Sequence, residues 1–181
     1  MGRRRTATAS SPARGESPFD IERDDSALTH VEFRRLGMRD LGAIEEIERR
    51  SYPTPWSRSM FASELAKPSS ICVGAFDGEE LVGYMIISRY VDAWHVMNIA
   101  VAPEHRRRGI ATSLLEQLFE ATAGRGRRGY TLEVRVSNTG AIKLYEELGF
   151  RPRGVRRGYY TDNREDALIM WKDPLPEPAR R

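Results

Sequence analysis

Apolar residues between positions 31 and 172 recur with two different spacings. Alternating apolar and polar positions, or short apolar runs, predict several strands. They cover residues 31–36, 71–76, 81–88, 96–101, 130–136, 159–160 and 167–171. Asp77-Gly78 predicts a tight turn that joins the second and third of these strands.

Apolar spacings of three and four residues predict helices between the strands. Ile110, Leu114 and Leu118 recur at intervals of four and form one apolar face. Ser57 is a favourable N-cap, and Gly149 is suited to end a helix. The predicted helices follow Asp40, run from Ser57 to Leu65, span residues 107–123, and run from Asn138 to Gly149. This alternation of strands and helices indicates a mixed sheet covered by helices, an α/β (α+β) fold.

Two segments outside the patterned region lack the apolar residues that a core requires. Residues 1–29 are rich in Ser, Thr, Pro and Arg without a sustained apolar period, so we predict a disordered N-terminal tail. Residues 174–181 contain three prolines and are predicted to form a second tail. We therefore expect one domain over residues 30–173.

The composition indicates a globular protein of a reducing compartment. The 181 residues are 40% hydrophobic and 30% charged, and no apolar run approaches the roughly 20 residues that a membrane helix needs. The single cysteine, Cys72, excludes an internal disulfide. The histidines lack the spacing of metal ligands, so no metal is predicted. We expect a cytoplasmic protein that does not contact a membrane.

Basic and acidic residues nearly balance, with 29 Lys and Arg against 26 Asp and Glu and a formal net charge of +3. Arginines nevertheless cluster within residues 106–108, 125–128 and 151–157. Such clusters suit a small phosphorylated ligand as well as a polynucleotide. Aromatic residues are not interleaved with these arginines as stacking platforms, so direct nucleic-acid binding is not expected.

The predicted strand at residues 96–101 runs into a basic loop that opens the third helix. The first amides of a helix lack partners within it, and with the helix dipole they form a site for an anion. Gly109 and Ala111 carry little or no side chain, so a phosphate can approach the backbone. The loop matches neither the Walker A nor the dinucleotide-binding pattern. The residues alone leave open a solvated arginine turn before an ordinary helix.

The segment Arg106-x-x-Gly109-x-Ala111 resembles the Gln/Arg-x-x-Gly-x-Gly/Ala loop that binds the pyrophosphate of acetyl-CoA in the GNAT acetyltransferase superfamily. Further segments of the chain resemble one group of that superfamily, the N-terminal amine acetyltransferases. The narrowest resemblance is to the bacterial ribosomal-protein-alanine N-acetyltransferases of the RimI type. These segments are Leu132-Glu133-Val134-Arg135-x-Ser137-Asn138, Ala141-Ile142-x-Leu144-Tyr145-x-x-Leu148-Gly149-Phe150, Arg157-x-Tyr159-Tyr160, Arg164-Glu165-Asp166-Ala167, Ile169-Met170 and Pro55-Trp56-Ser57. The resemblance spans about residues 31–172 and implies a GNAT fold, a mostly antiparallel mixed sheet of about seven strands flanked by about four helices.

The resemblance implies that acetyl-CoA binds as a co-substrate. The loop and first helical turn would bind its pyrophosphate, the preceding strand would offer backbone groups to the pantetheine, and a backbone amide would polarise the thioester carbonyl. The implied binding residues are Ile99, Ala100, Val101, Arg106, Arg107, Arg108, Gly109, Ile110, Ala111, Thr112 and Asn138. Asn138 is equally suited to a structural role as a helix N-cap. Ala111 stands where a second glycine is commoner in the superfamily.

Glu133 and Tyr145 are the acid–base pair that the resemblance implies. Glu133 lies on the polar face of its predicted strand and can accept a proton from the amine, directly or through water. The residue by itself favours a solvated strand glutamate, paired with Arg135, and only the resemblance favours the catalytic base. Tyr145 can protonate the departing thiolate while its ring packs in the core. His95 has no assigned role and is expected on the surface or in a loop.

Trp56, Tyr159 and Tyr160 are candidates for a groove that binds the N-terminal peptide of a ribosomal protein, and they are also consistent with core and edge aromatics. The implied acceptor is the N-terminal alanine of small-subunit ribosomal protein eighteen. A lysine side chain or a small-molecule amine is the alternative acceptor. A catalytically silent module that binds acetyl-CoA is the alternative of a different class. We expect a monomer.

Overall fold

The computed structural model describes residues 31–125 and 128–174. Within these ranges the elements are β1 (Val31–Arg35), α1 (Leu41–Ser51), α2 (Arg58–Ala66), β2 (Ser70–Asp77), β3 (Glu80–Tyr90), β4 (Ala93–Val101), α3 (Ile110–Thr122), β5 (Gly129–Arg135), α4 (Thr139–Glu147), β6 (Arg151–Tyr160) and β7 (Glu165–Lys172). Short 3-10 turns at Met38–Asp40 and Pro103–His105 precede α1 and α3. The predicted tails lie outside the described residues, apart from Pro174. None of the described helices is long and apolar enough to cross a membrane.

The strands form one sheet in the order β1-β2-β3-β4-β5-β7-β6. Every neighbouring pair is antiparallel except β4 and β5, which run parallel. The parallel pairing covers only residues 93–96 of β4 and 129–132 of β5. Beyond these residues the two strands part and leave an opening in the middle of the sheet. The predicted mixed, mostly antiparallel sheet with flanking helices is therefore confirmed.

Helices cover both faces of the sheet, so its central strands are buried on both sides. On one face α3 and α4 pack through residues such as Leu114 and Tyr145. On the opposite face α1 and α2 pack through residues such as Ile44 and Phe61. β3 supplies Val82, Met85 and Ile87 to the first core and Leu81, Tyr84 and Ile86 to the second. This two-sided burial explains why β3 is a nearly continuous apolar run in the sequence.

Element boundaries differ most from the sequence prediction at β4, which begins at Ala93 rather than at Val96, and at α3 and β6. α3 begins at Ile110 rather than at Arg107, because Arg107 and Gly109 have φ values of 65° and 80° and cannot continue a right-handed helix. β6 begins at Arg151, whereas the pattern predicts only its last two residues. Its arginine-rich part is an exposed edge strand, which shows no apolar alternation.

Candidate active site

The parting of β4 and β5 opens a cleft of about 930 Å³. Its walls come from the end of α1, the chain that follows it, β4, β5, α4 and the turn between β6 and β7. The predicted site residues that line it are Trp56, Ile99, Ala100, Val101, Ala111, Glu133, Asn138, Tyr145, Tyr159 and Tyr160. Residues 106–110 and Thr112 do not line the cleft but form the loop and first helical turn around Ala111.

β4 presents backbone groups to the cleft because it loses its neighbour β5 beyond Val96. The Ile99 carbonyl accepts a hydrogen bond from the Tyr52 hydroxyl, and the Val101 carbonyl accepts one from Arg106 Nε at 3.0 Å. Both carbonyls therefore point away from β3. Since the amide and carbonyl of one residue share a side of an antiparallel strand, the Ile99 and Val101 amides point the same way. This edge is suited to hydrogen bonds with an extended ligand.

The loop before α3 forms a second polar surface beside the cleft. Gly109 is the N-cap of α3 with a φ of 80°, and a Cβ built on it would meet nothing within 4 Å. The first intrahelical bond of α3 runs from the Ser113 amide to the Gly109 carbonyl at 3.0 Å. The amides of Ile110, Ala111 and Thr112 thus have no partner within the helix. With the open space beside Gly109, these donors suit a phosphate group.

The loop arginines do not all point to that surface. Arg106 Nε binds the Val101 carbonyl, and its Nη2 donates to Ser51 Oγ at 3.1 Å. Arg106 therefore ties the loop to β4 and α1. Arg108 Nη1 lies 2.8 Å from His105 Nδ1 and its Nη2 lies 3.7 Å from Asp77.

Asn138 occupies the N-cap of α4, where its Oδ1 accepts a hydrogen bond from the Ala141 amide at 3.2 Å. This contact orders the first turn of the helix that carries Tyr145. Asn138 also lines the cleft, so a structural contact and a ligand contact are compatible at this residue.

Glu133 lies between two basic side chains. Its Oε2 is 2.9 Å from His95 Nε2, and its Oε1 accepts a hydrogen bond from Arg156 Nη1 at 2.9 Å. The His95 hydrogen bond is the main cause that lowers the pKa of Glu133, with a further contribution from Arg156. Glu133 is therefore a carboxylate at neutral pH. The alternative pairing with Arg135 is wrong, because Arg135 binds Asp162 and Glu165 instead.

His95 was missed by sequence reasoning. It lies on β4, with 19% of its side chain exposed, and not in a loop. Its ring contacts that of Tyr90 edge to face, with 6.0 Å between the centroids. A single histidine just before the apolar run of residues 96–101 gives no spacing signal, and only the pairing of β4 with β5 brings it to Glu133.

Tyr145 lies on α4, where its ring is 6% exposed and packs against Phe150 with 5.7 Å between the centroids. Burial raises the pKa of the Tyr145 phenol, and Tyr160 adds to the rise. The hydroxyl is therefore protonated throughout the neutral range and is available as a proton donor at the cleft wall.

Tyr159 and Tyr160, an aromatic pair at the end of β6, form another part of the cleft wall. The rings of Tyr159 and Tyr160 meet edge to face at 5.2 Å, and the Arg135 guanidinium stacks 3.9 Å over the Tyr160 ring. Burial raises the pKa of Tyr160 to about 12. Arg135 also binds Asp162 at 2.8 Å and Glu165 at 3.1 Å, which fastens the turn between β6 and β7 to β5.

Trp56 and Glu48 form the wall on the side of α1. The Trp56 ring packs against Phe61 at 5.4 Å, and its backbone N–H donates to Glu48 Oε1 at 2.8 Å. Glu48 is 1% exposed and was also missed by sequence reasoning. The available signal is its position four residues after Ile44, which puts a charged residue on the apolar face of α1.

The profile of the acetyltransferase (GNAT) family matches residues 41–150. The chain is 40% identical over 137 residues to the ribosomal protein bS18-alanine N-acetyltransferase of Escherichia coli K12, a match that covers 75% of this chain and 92% of that protein. It is 41% identical over 123 residues to the N-alpha-acetyltransferase RimI of Mycobacterium tuberculosis, covering 66% of this chain and 76% of that protein.

Among solved structures, the crystal structure of the ribosomal-protein-S18-alanine N-acetyltransferase of Escherichia coli superposes with a TM-score of 0.75. Sequence identity in that superposition is 35%, and it covers 83% of this chain and 98% of that chain. The similarity therefore extends through nearly the whole of the compared enzyme.

Proposed function

The chain belongs to the acetyltransferase (GNAT) family and is an acetyl-CoA-dependent N-acetyltransferase, and we propose that its acceptor is the N-terminal α-amine of a protein, in the first place the alanine of ribosomal protein bS18. The observation that carries the proposal is that Glu133, Tyr145 and the open edge of β4 line one cleft. The choice of acceptor rests on the reaction for which the Escherichia coli relative is named.

The residues beside the cleft fit the parts of acetyl-CoA, which supplies the acetyl group as a thioester. The amides of residues 110–112 at the start of α3 have no partner within the helix, and with the open space beside Gly109 they suit the diphosphate. The amides of Ile99 and Val101 suit the pantetheine and the thioester carbonyl, where negative charge develops during transfer. Arg106 holds the loop in place through Val101 and Ser51 rather than by pointing at the diphosphate.

An α-amine is a better acceptor for this site than a lysine side chain. Only a neutral amine attacks a thioester, and the reference pKa of an α-amine is about 8 against about 10.4 for lysine. Glu133 has a lowered pKa and is a weak base, so it removes a proton more readily from the less basic amine. Trp56, Tyr159 and Tyr160 would flank the first residues of the peptide.

In the proposed reaction Glu133 accepts the amine proton and Tyr145 supplies a proton to the leaving sulfur. Glu133 is held by His95 and Arg156 and is too weak a base to retain that proton, so a water molecule between amine and carboxylate would pass it to solvent. Tyr145 is a neutral phenol because burial raises its pKa. Its hydroxyl would donate to the sulfur as the carbon–sulfur bond breaks, and a phenolate left by that transfer, as the stronger base, would regain its proton from solvent.

Two other functions share parts of this site. Acetylation of a lysine or a small-molecule amine would use the same chemistry, and the aromatic walls of Trp56 and the tyrosine pair favour a peptide instead. A catalytically silent module that only binds acetyl-CoA would not need the carboxylate of Glu133 on β5 and the phenol of Tyr145 on α4 in the same cleft.

A panel of peptides with different N-terminal residues tests the proposal. Purified protein is incubated with acetyl-CoA and each peptide, release of CoA is followed, and the modified atom is located by mass spectrometry. Preferred acetylation of the α-amine of an alanine-terminated bS18 peptide supports the proposal. Preference for an N-terminally blocked peptide with a free lysine, or for a polyamine, contradicts it.

A further inference from the structure

Glu48 is a buried carboxylate in the cleft wall to which acetyl transfer assigns no role. Oε1 accepts the Trp56 backbone N–H at 2.8 Å, Oε2 accepts the Tyr84 hydroxyl, and both oxygens lie 3.3 Å from Asn98 Nδ2. Each of these partners donates, which matches the acceptor-only character of a carboxylate. The contacts join α1 to β3, to β4 and to the chain between α1 and α2.

That connecting chain, residues 52–56, is held at both ends by Glu48. The Tyr52 N–H donates to the Glu48 carbonyl at 3.0 Å, and the Trp56 N–H donates to the carboxylate. The Tyr52 hydroxyl adds a tie to the Ile99 carbonyl of β4. Pro53 and Pro55 have no N–H, so this 52–56 segment has few backbone donors by which it can be fixed. Tyr52, Pro53, Thr54 and Trp56 all line the cleft.

We propose that Glu48 is a positioning residue for the acceptor, which holds the 52–56 segment against β4 so that Trp56 forms a fixed wall of the acceptor groove. The proposal rests on the proposed function only in placing the acceptor beside Trp56. A wall that is ordered beforehand loses no conformational freedom when a peptide binds, so releasing it weakens acceptor binding. β4 keeps its pairing with β3 without Glu48, so the surface for acetyl-CoA remains formed.

Glu48→Gln tests this role with little change of shape. In one orientation of the amide the NH2 group faces the Trp56 N–H, and in the other it faces the Tyr84 hydroxyl, so the contact with one of these two donors is lost, while Asn98 keeps an oxygen acceptor in both. We expect the KM of the acceptor peptide to rise about tenfold, as for loss of a hydrogen bond to a charged group, while the Kd of acetyl-CoA by calorimetry stays within about twofold.

Glu46→Gln is the matched control, because Glu46 is an exposed residue of the same helix whose partner is Arg49. It makes the same change of charge and should leave both constants unchanged. Tyr52→Phe removes the tie to Ile99 and keeps the carboxylate, so it should raise the acceptor KM even if Glu48→Gln does not fold.

An unchanged acceptor KM in folded Glu48→Gln or in Tyr52→Phe would overturn the proposal. A fall in kcat with both binding constants unchanged would also overturn it, because that pattern reports a smaller folded fraction. The KM values of wild type and variants are measured with whichever amine the wild type acetylates. If that amine is not a protein N-terminus, the proposed function fails while the effect of Glu48 on its KM remains measurable.

Discussion

His95 Nε2 lies 2.9 Å from Glu133 Oε2 across the short parallel pairing of β4 and β5. The other oxygen of Glu133 accepts a hydrogen bond from Arg156 on β6. The proposed base is thus held in one orientation by side chains from two other strands. These contacts stabilise the carboxylate and lower its pKa. They therefore fix the orientation of Glu133 and at the same time make it a weaker base. A base of this kind suits relay of a proton through water better than storage of the proton.

His95→Ala should raise the pKa of Glu133 towards its ordinary value, because the largest cause of the lowered pKa is removed. Arg156 remains in place, so the rise is expected to be partial. The carboxyl titration followed by NMR in wild type and variant measures it directly. An unchanged pKa would show that Arg156 alone holds Glu133 in its ionised form.

Glu133→Gln should lower turnover by roughly 10²–10⁴, the usual scale for general acid–base catalysis. The loss should shrink as the pH rises towards 9, because a growing share of the α-amine, with a reference pKa of about 8, is then neutral without help. Turnover measured from pH 6 to 9 provides the check. A loss that is the same at every pH would assign Glu133 to binding rather than to proton removal.

The mixed sheet could be predicted because its strands and helices carry clear apolar periods, as in Ile110, Leu114 and Leu118 of α3. The hydrogen-bond partners of the side chains could not be predicted, because they depend on which strands become neighbours in the sheet. His95 meets Glu133 only through the parallel pairing of β4 and β5. Arg106 matches the family motif, yet its guanidinium turns to Val101 and Ser51, a direction that no spacing specifies.

Gly109→Glu should abolish binding of acetyl-CoA, because a carboxylate would occupy the open space beside Gly109, at the start of α3, and repel a diphosphate. Gly109→Ala is the control for backbone strain. The site has space for a Cβ, but its φ of 80° costs a residue with a side chain about 1–2 kcal/mol. Calorimetry should show weakened binding for Ala and none for Glu. Equal affinities for the two variants would place the diphosphate elsewhere.

Glu165→Gln should destabilise the protein at neutral pH and have little effect near pH 2. Hydrogen bonds from Ser137, with contributions from Asn163 and Arg135, lower the pKa of Glu165 to about 2 from its ordinary value of 4.5. A lowered folded-state pKa gives stability that is present above pH 4.5 and is lost as the pH falls towards 2.

The check is the melting temperature of wild type and Glu165→Gln across this range, with Glu147→Gln as control. Glu147 is an exposed residue that lies 4.0 Å from Lys143. The difference between Glu165→Gln and wild type should narrow progressively below pH 4.5. A constant difference would mean that the loss comes from packing of the β6–β7 turn and not from the charge of Glu165.

Tyr145→Phe should lower turnover by roughly 10²–10⁴ with little change in stability, because the ring is kept and only the buried hydroxyl is removed. Raising the pH should not restore the rate. More neutral amine does not help when the missing step is protonation of the leaving thiolate, and this separates Tyr145→Phe from Glu133→Gln. The Kd of acetyl-CoA should stay near that of the wild type, since the ring still packs against Phe150 and closes the cleft wall. Parallel pH–rate profiles and melting curves of the two variants decide the assignment. If Tyr145→Phe keeps a wild-type rate with an alanine-terminated peptide, the thiolate leaves unprotonated or takes its proton from solvent, and the contribution of Tyr145 is confined to packing.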